Sequence, residues 1–188
     1  YEVYLLGAGK AAEAIGEPED QARLELARSI VLPRIEQCVA QFVRRKFHCP
    51  SCVPCISLAR RYLPTERTMV QPHRDALARV TVVVELQPAE PVPKGGGLFI
   101  KKSEDDKQNF VPMKAGDAFL HDYELLHGVQ IACEGCARLS LIVWFREDME
   151  RCRAGGDVEA ATQMYRRSAL AGVAEGRYSW SRHVLQVN

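Results

Sequence analysis

The stretch from Ile56 to Phe145 constrains the fold most: short β-rich runs, each broken by Pro, Gly or a charge cluster. Runs of this length and spacing are too short for helices and suit a sandwich or barrel. Strands are expected near 57–63, 79–87, 97–101, 108–112, 117–121, 128–132 and 138–146. The polar insert Lys101–Gln108, KKSEDDKQ, reads as a connection whose charges face water. Even the most apolar stretch, Leu139–Phe145, falls far below the roughly 20 residues needed to cross a bilayer.

On either side the pattern turns helical. Between 20 and 47, Leu24, Ala27, Ile30, Val31, Ile35, Cys38, Val39 and Phe42 recur near the 3.6-residue period, with Asp20 as a candidate cap and Arg44, Arg45 and Lys46 suited to the carboxyl end. Pro33 is expected to kink or split this helix. After Glu147 a second helical stretch is expected, with Gly155–Gly156 as a joint, and the run from Gly156 to Ser181 resembles one copy of a Sel1-type helical repeat. The resulting division is 1–55 as helical support, 56–147 as a β core and 148–188 as a helical segment that packs on the core or starts a repeat array. The 188 residues fit one domain with a short appendage, and because they begin at Tyr1 without Met they read as a piece of something longer.

With 25 Lys+Arg against 24 Asp+Glu, the formal net charge is +1, so neither nucleic acid nor membrane is expected as a partner. Chemistry must come from local clusters. In His73-Arg74-Asp75 an imidazole and a carboxylate stand two apart at the entrance to a strand, where both point to one face. A second histidine from a distant strand would complete a two-His, one-carboxylate facial set, which suits ferrous iron and leaves coordination positions open. His127 fits that role, with His121 as a weaker alternative that could instead flank the site or bond to a neighbouring strand. His48 and His183 lie outside the β stretch. Arg138 and Ser140 open the most hydrophobic strand and share a face, so a guanidinium fork and a hydroxyl can grip a carboxylate.

The segments RRYLPTER, PHRD, VTVVVELQ, GGGLFI, VPMKAGDAFLHDYELLHGV and RLSLIVWF, in that order, resemble the prolyl 4-hydroxylase-like branch of the 2-oxoglutarate and Fe(II)-dependent dioxygenases. The resemblance implies a double-stranded β-helix, a distorted jelly roll, with an N-terminal supporting helix and a C-terminal helical segment. It implies His73, Asp75 and His127 as iron ligands, Arg138 as partner of the far carboxylate of 2-oxoglutarate, and Tyr62 as a wall of the co-substrate pocket, with Ser140 beside it. Fe(II) and 2-oxoglutarate are the cofactors it brings, with ascorbate as a further candidate. Hydroxylation follows from the presence of Asp75, and a prolyl residue in a peptide or protein is expected as substrate ahead of a small molecule. The rival readings are a cupin-like binding module without turnover and a scaffold that recruits partners through its helical tail.

Two features sit less easily with the likeness. Collagen-type prolyl hydroxylases generally carry Lys where this chain has Arg138. Glu85 shares strand parity with Thr81 and Val83, and a carboxylate turned inward there would repel a diacid, so a bulge or an outward side chain is expected. Cys49, Cys52 and Cys55 have the spacing of a zinc site, but disulfides and free thiols also fit; with seven cysteines in all, the expectation leans to reduced thiols.

Overall fold

The computed structural model describes residues 2–7, 9–11, 18–63, 65, 68–89, 96–133 and 135–153. The chain runs β1 (Glu2–Gly7), β2 (Lys10–Ala11), α1 (Pro18–Arg34), a π-helical stretch (Ile35–Ala40), α2 (Gln41–Lys46), β3 (Val53–Tyr62), β4 (Met69–His73), β5 (Val80–Gln87), β6 (Gly96–Lys101), β7 (Asn109–Phe110), β8 (Ala118–Asp122), β9 (Leu126–Ile131), β10 (Arg138–Arg146) and α3 (Met149–Arg153). The strands form two antiparallel sheets, β2-β1-β3-β10-β5-β8 and β4-β9-β6-β7. This is the expected double-stranded β-helix, or distorted jelly roll, with an N-terminal helix and a short C-terminal one.

The six-stranded sheet is covered on both faces, which explains why β5 and β10 read as nearly unbroken apolar runs. On one face Val80, Val82, Val143 and Phe145 meet Leu24, Ile35, Ala40 and Val43 of the helical stretch. On the other, Tyr62 and Val83 meet Val70, Leu98, Val129 and Ile131 of the four-stranded sheet. The interior between the sheets is therefore the one place where side chains from both can converge on a ligand.

Pro33 does not split the helix. It lies at the end of α1, and the chain passes through the π-helical stretch directly into α2. A wider turn is one way for a helix to absorb a proline that has no N–H to donate. β1, β2 and β4 are absent from the sequence expectation. The first two extend the large sheet beyond β3, so the N-terminal stretch supplies strands as well as helix. Packing requires a glycine at position 96, the start of β6. Gly96 has φ +87°, and a Cβ there would sit 2.0 Å from the Gln130 carbonyl oxygen.

The cysteines pair as Cys49–Cys52, Cys55–Cys152 and Cys133–Cys136, leaving Cys38 free and exposed. The lean toward reduced thiols is corrected, and the zinc spacing at 49–55 is taken up by disulfides. The Cys55–Cys152 pair fastens α3 to β3. The Sel1-like segment lies outside the described residues.

Candidate metal centre

His73 is the last residue of β4 and stands opposite His127 in the antiparallel register with β9. Asp75 follows in the turn toward β5, so the His-x-Asp pair sits at a strand exit rather than the expected entrance. The turn is pinned where the Ala78 N–H donates to the Asp75 carbonyl, 3.0 Å. His73 Nε2 and Asp75 Oδ1 are 3.5 Å apart, as are His127 Nε2 and Asp75 Oδ2. One ligating atom from each of the three lies within 4.8 Å of the other two, the only such group among the described residues.

Local hydrogen bonds aim the donors. His73 Nδ1 lies 2.8 Å from the Gln71 carbonyl oxygen and His127 Nδ1 lies 3.0 Å from that of Leu125. With Nδ1–H donating to a carbonyl, each Nε2 keeps its lone pair for a metal. The Thr81 hydroxyl, on β5 of the other sheet, donates to Asp75 Oδ2 at 2.6 Å. Burial pulls the His127 imidazole down to about 3, against the pull of Asp75 in the other direction, so the ring is neutral near pH 7. Burial alone would raise the Asp75 carboxyl, but the close His73 and His127 rings and the bond from the Thr81 hydroxyl hold it well below the ordinary range. Two imidazoles and a carboxylate form the donor set that suits a divalent first-row ion with open positions, so the residues present fit Fe(II).

His121 stands against this cluster. It is paired in register with Thr81 on β5, and its ring centroid is 4.3 Å from that of His127. Its Nδ1 faces the Asp122 carbonyl oxygen at 2.7 Å, while Nε2 is buried without a partner, 4.0 Å from Asp75 Oδ2. It flanks the ligands.

One pocket runs from His73, Asp75 and His127 to Tyr62, Arg138 and Ser140. All six candidate residues therefore line one space. Arg138 is 1% exposed, stands opposite Tyr62 in register, and holds its guanidinium 5.5 Å from the centre of the Tyr62 ring. Its Nη1 donates to Ser140 Oγ at 3.3 Å.

Glu85 departs from expectation. A register shift does fall here, where Leu139 pairs Gln87 and Ser140 pairs Glu85, so Leu86 bulges out. Glu85 itself nevertheless points inward, 2% exposed. Arg138 Nε and Nη2 both donate to its Oε2, at 3.0 and 2.7 Å. The reason is charge: a buried guanidinium without a partner costs far more than a buried pair.

Sequence reasoning missed two donors in the pocket wall. Arg60 and Trp144 both line it, and Arg60 Nε and Trp144 Nε1 are buried without a hydrogen-bond partner. The signal was strand parity, since Arg60 is two before Tyr62 on β3 and Trp144 is in step with Arg138, Ser140 and Ile142 on β10. Together with the outer edge of Arg138, these donors make the inner end of the pocket a place for a ligand rich in acceptor oxygens, which 2-oxoglutarate fits.

The 2OG-Fe(II) oxygenase superfamily is matched by sequence over residues 58–146. No curated protein matches the chain by sequence. Among solved structures, an oxidoreductase of the 2OG-Fe(II) oxygenase family from Burkholderia pseudomallei is 16% identical, with 78% of this chain and 66% of that one covered, at a TM-score of 0.52. The α-ketoglutarate-dependent epimerase SnoN from nogalamycin biosynthesis is 19% identical, covering 66% and 58%, at 0.50. The carbocyclase SnoK from the same biosynthesis is 14% identical, covering 68% and 59%, at 0.51. The chain thus spans about two thirds or less of the length of each. The expectation of a peptide or protein substrate is corrected by these neighbours, which are an epimerase and a carbocyclase of nogalamycin biosynthesis. The match over β3 to β10, and a two-His, one-carboxylate cluster held within those same residues, place the segment 58–146 in the 2OG-Fe(II) oxygenase superfamily.

Proposed function

We propose that the chain is an Fe(II)- and 2-oxoglutarate-dependent oxygenase that hydroxylates a small molecule, the 56–147 core carrying the site and the flanking segments supporting it. The observation that carries this reading is the single pocket with a three-ligand cluster at one end and a buried guanidinium at the other. When bound, Fe(II) with 2-oxoglutarate would let dioxygen act as the oxidant, one oxygen atom turning a substrate C–H into C–OH and the other converting the co-substrate to succinate and carbon dioxide.

His73, Asp75 and His127 hold the metal from one side, and the carbonyls on both Nδ1 atoms keep the rings from turning away. Arg138 and Ser140 receive the far carboxylate of 2-oxoglutarate, with Tyr62 stacked beneath the guanidinium. Arg60 Nε and Trp144 Nε1 offer the remaining donors along the wall. Apolar Val70, Val83, Leu98 and Val129 line the rest and exclude water. Asp75 fills the third protein position, which a halide would need vacant, and this favours hydroxylation over halogenation.

The test is succinate release from 2-oxoglutarate with Fe(II), across a panel of small molecules and proline-containing peptides, with products read by mass. A gain of one oxygen on a small molecule is the expected result. His127→Ala should lose iron and all turnover, since three protein ligands are the minimum here. Undiminished iron-dependent turnover in that variant rejects the assignment. Chloride in the product rejects the role given to Asp75.

A further inference from the structure

Among the described residues, Glu85 is the one buried acid that the proposed reaction does not use. It puts a carboxylate against the same guanidinium that is to receive the co-substrate's far carboxylate. The bonding leaves room for both. Arg138 uses Nε and one N–H of Nη2 on Glu85, and both N–H donors land on the single oxygen Oε2. The outer edge of the guanidinium, formed by Nη1 and the second N–H of Nη2, therefore still faces a ligand, with only the 3.3 Å bond to Ser140 Oγ upon it. Glu85 Oε1 is buried with no partner at all.

Adding a second carboxylate to that edge would leave two negative charges on one buried guanidinium. The surroundings do not absorb the excess. From β10 Glu85 faces Arg138 and Ser140, and from β3 Arg60 and Tyr62 stand next in register, with Arg60 already paired to Glu2 at 2.7 Å. On the β8 side the Asp117 carbonyl accepts the Glu85 N–H, while the Asp117 carboxylate turns to the Lys114 N–H. The facing four-stranded sheet brings apolar Leu98, Val129 and Ile131.

We propose that Glu85 is a specificity-determining residue for the far end of the co-substrate: it stays beside Arg138 and takes a proton from solvent onto Oε1 as the far carboxylate binds. The new O–H then donates to that carboxylate, so the buried group carries one net negative charge less. Burial already raises the Glu85 carboxyl, opposed by Arg138, so the proton is within reach. The inference rests on the reading of Arg138 as the anchor.

The experiment is calorimetric titration of the full chain, loaded anaerobically with Fe(II), at pH 7.5 in two buffers of different protonation heat. 2-Oxoglutarate is compared with pyruvate, which has the keto acid end and no far carboxylate. 2-Oxoglutarate should take up close to one proton more than pyruvate. Glu85→Gln, which keeps the shape and removes the charge, should abolish that difference and bind 2-oxoglutarate at least about tenfold more tightly. Equal proton counts in the unaltered chain, which need no variant to fold, overturn the inference, as does a difference that survives in Glu85→Gln. Arg138→Lys keeps the buried charge and loses the fork. If it leaves 2-oxoglutarate affinity unchanged, the anchor reading has failed and this inference with it; if affinity drops while the proton counts are equal, only the role of Glu85 has failed.

Discussion

At His73, His121 and His127 one local pattern repeats: Nδ1 lies against a backbone carbonyl no more than two residues away, which leaves Nε2 facing the cluster. Such a site is ready for a cation and hostile to a proton. For His127 the consequence has a definite sign. Its folded value of about 3 lies below the ordinary histidine value of 6.5, so between these the unfolded chain binds the proton that the folded chain refuses. Stability of the metal-free protein should therefore be full above about pH 6.5 and fall as pH drops toward 3, by up to about 1.4 kcal/mol per pH unit for this one group. Urea unfolding of the metal-free chain at pH 7.5, 5.5 and 4.5 checks this. His127→Phe should flatten the slope, and an equal slope in that variant would place the titration elsewhere.

Among the elements, β6 depends on the least tolerant contact. Gly96→Ala would force an L-residue to φ +87° and drive its Cβ into the Gln130 carbonyl on β9, so it should cost at least about 2 kcal/mol. Gly97→Ala, with open space around it but φ +131°, should cost less; thermal unfolding of the two variants makes the comparison. The strand expected at 97–101 falls within one residue of β6, and β5 and β10 were equally legible, because largely apolar runs between Gly, Pro and charge signal strands buried on both faces. β4 was not legible. Its sequence Met-Val-Gln-Pro-His carries a proline and only two apolar residues, and its strand character comes from pairing with β9. The iron-type ligands could be read because strand parity and order along the chain were enough to associate them. The inward turn of Glu85 could not, since it is decided by the need of Arg138 for a counter-charge across 53 residues of sequence. The pairing of Cys55 with Cys152 was hidden for the same reason, being 97 residues long.

For the whole molecule, that disulfide closes a loop of most of the β core, so replacing both cysteines by serine should lower stability by on the order of 4–5 kcal/mol in the chain-entropy account. Denaturant midpoints of the oxidised chain and of the double variant provide the check, and unchanged midpoints would reject the link as a source of stability. The metal centre has a reach of similar scale. His73 and His127 belong to the four-stranded sheet, and Asp75 is tied by Thr81 to the six-stranded one. A cation held by all three is thus a rivet through two plates. Loading at 100 times its dissociation constant should stabilise the fold by about 2.7 kcal/mol, visible as a rise in melting temperature with Fe(II) or Mn(II) that Asp75→Ala removes. The relation is reciprocal: whatever wedges the plates apart loosens the ion, and whatever draws them together tightens it. A ligand that fills the seam between the sheets can therefore set how long the metal stays without touching it.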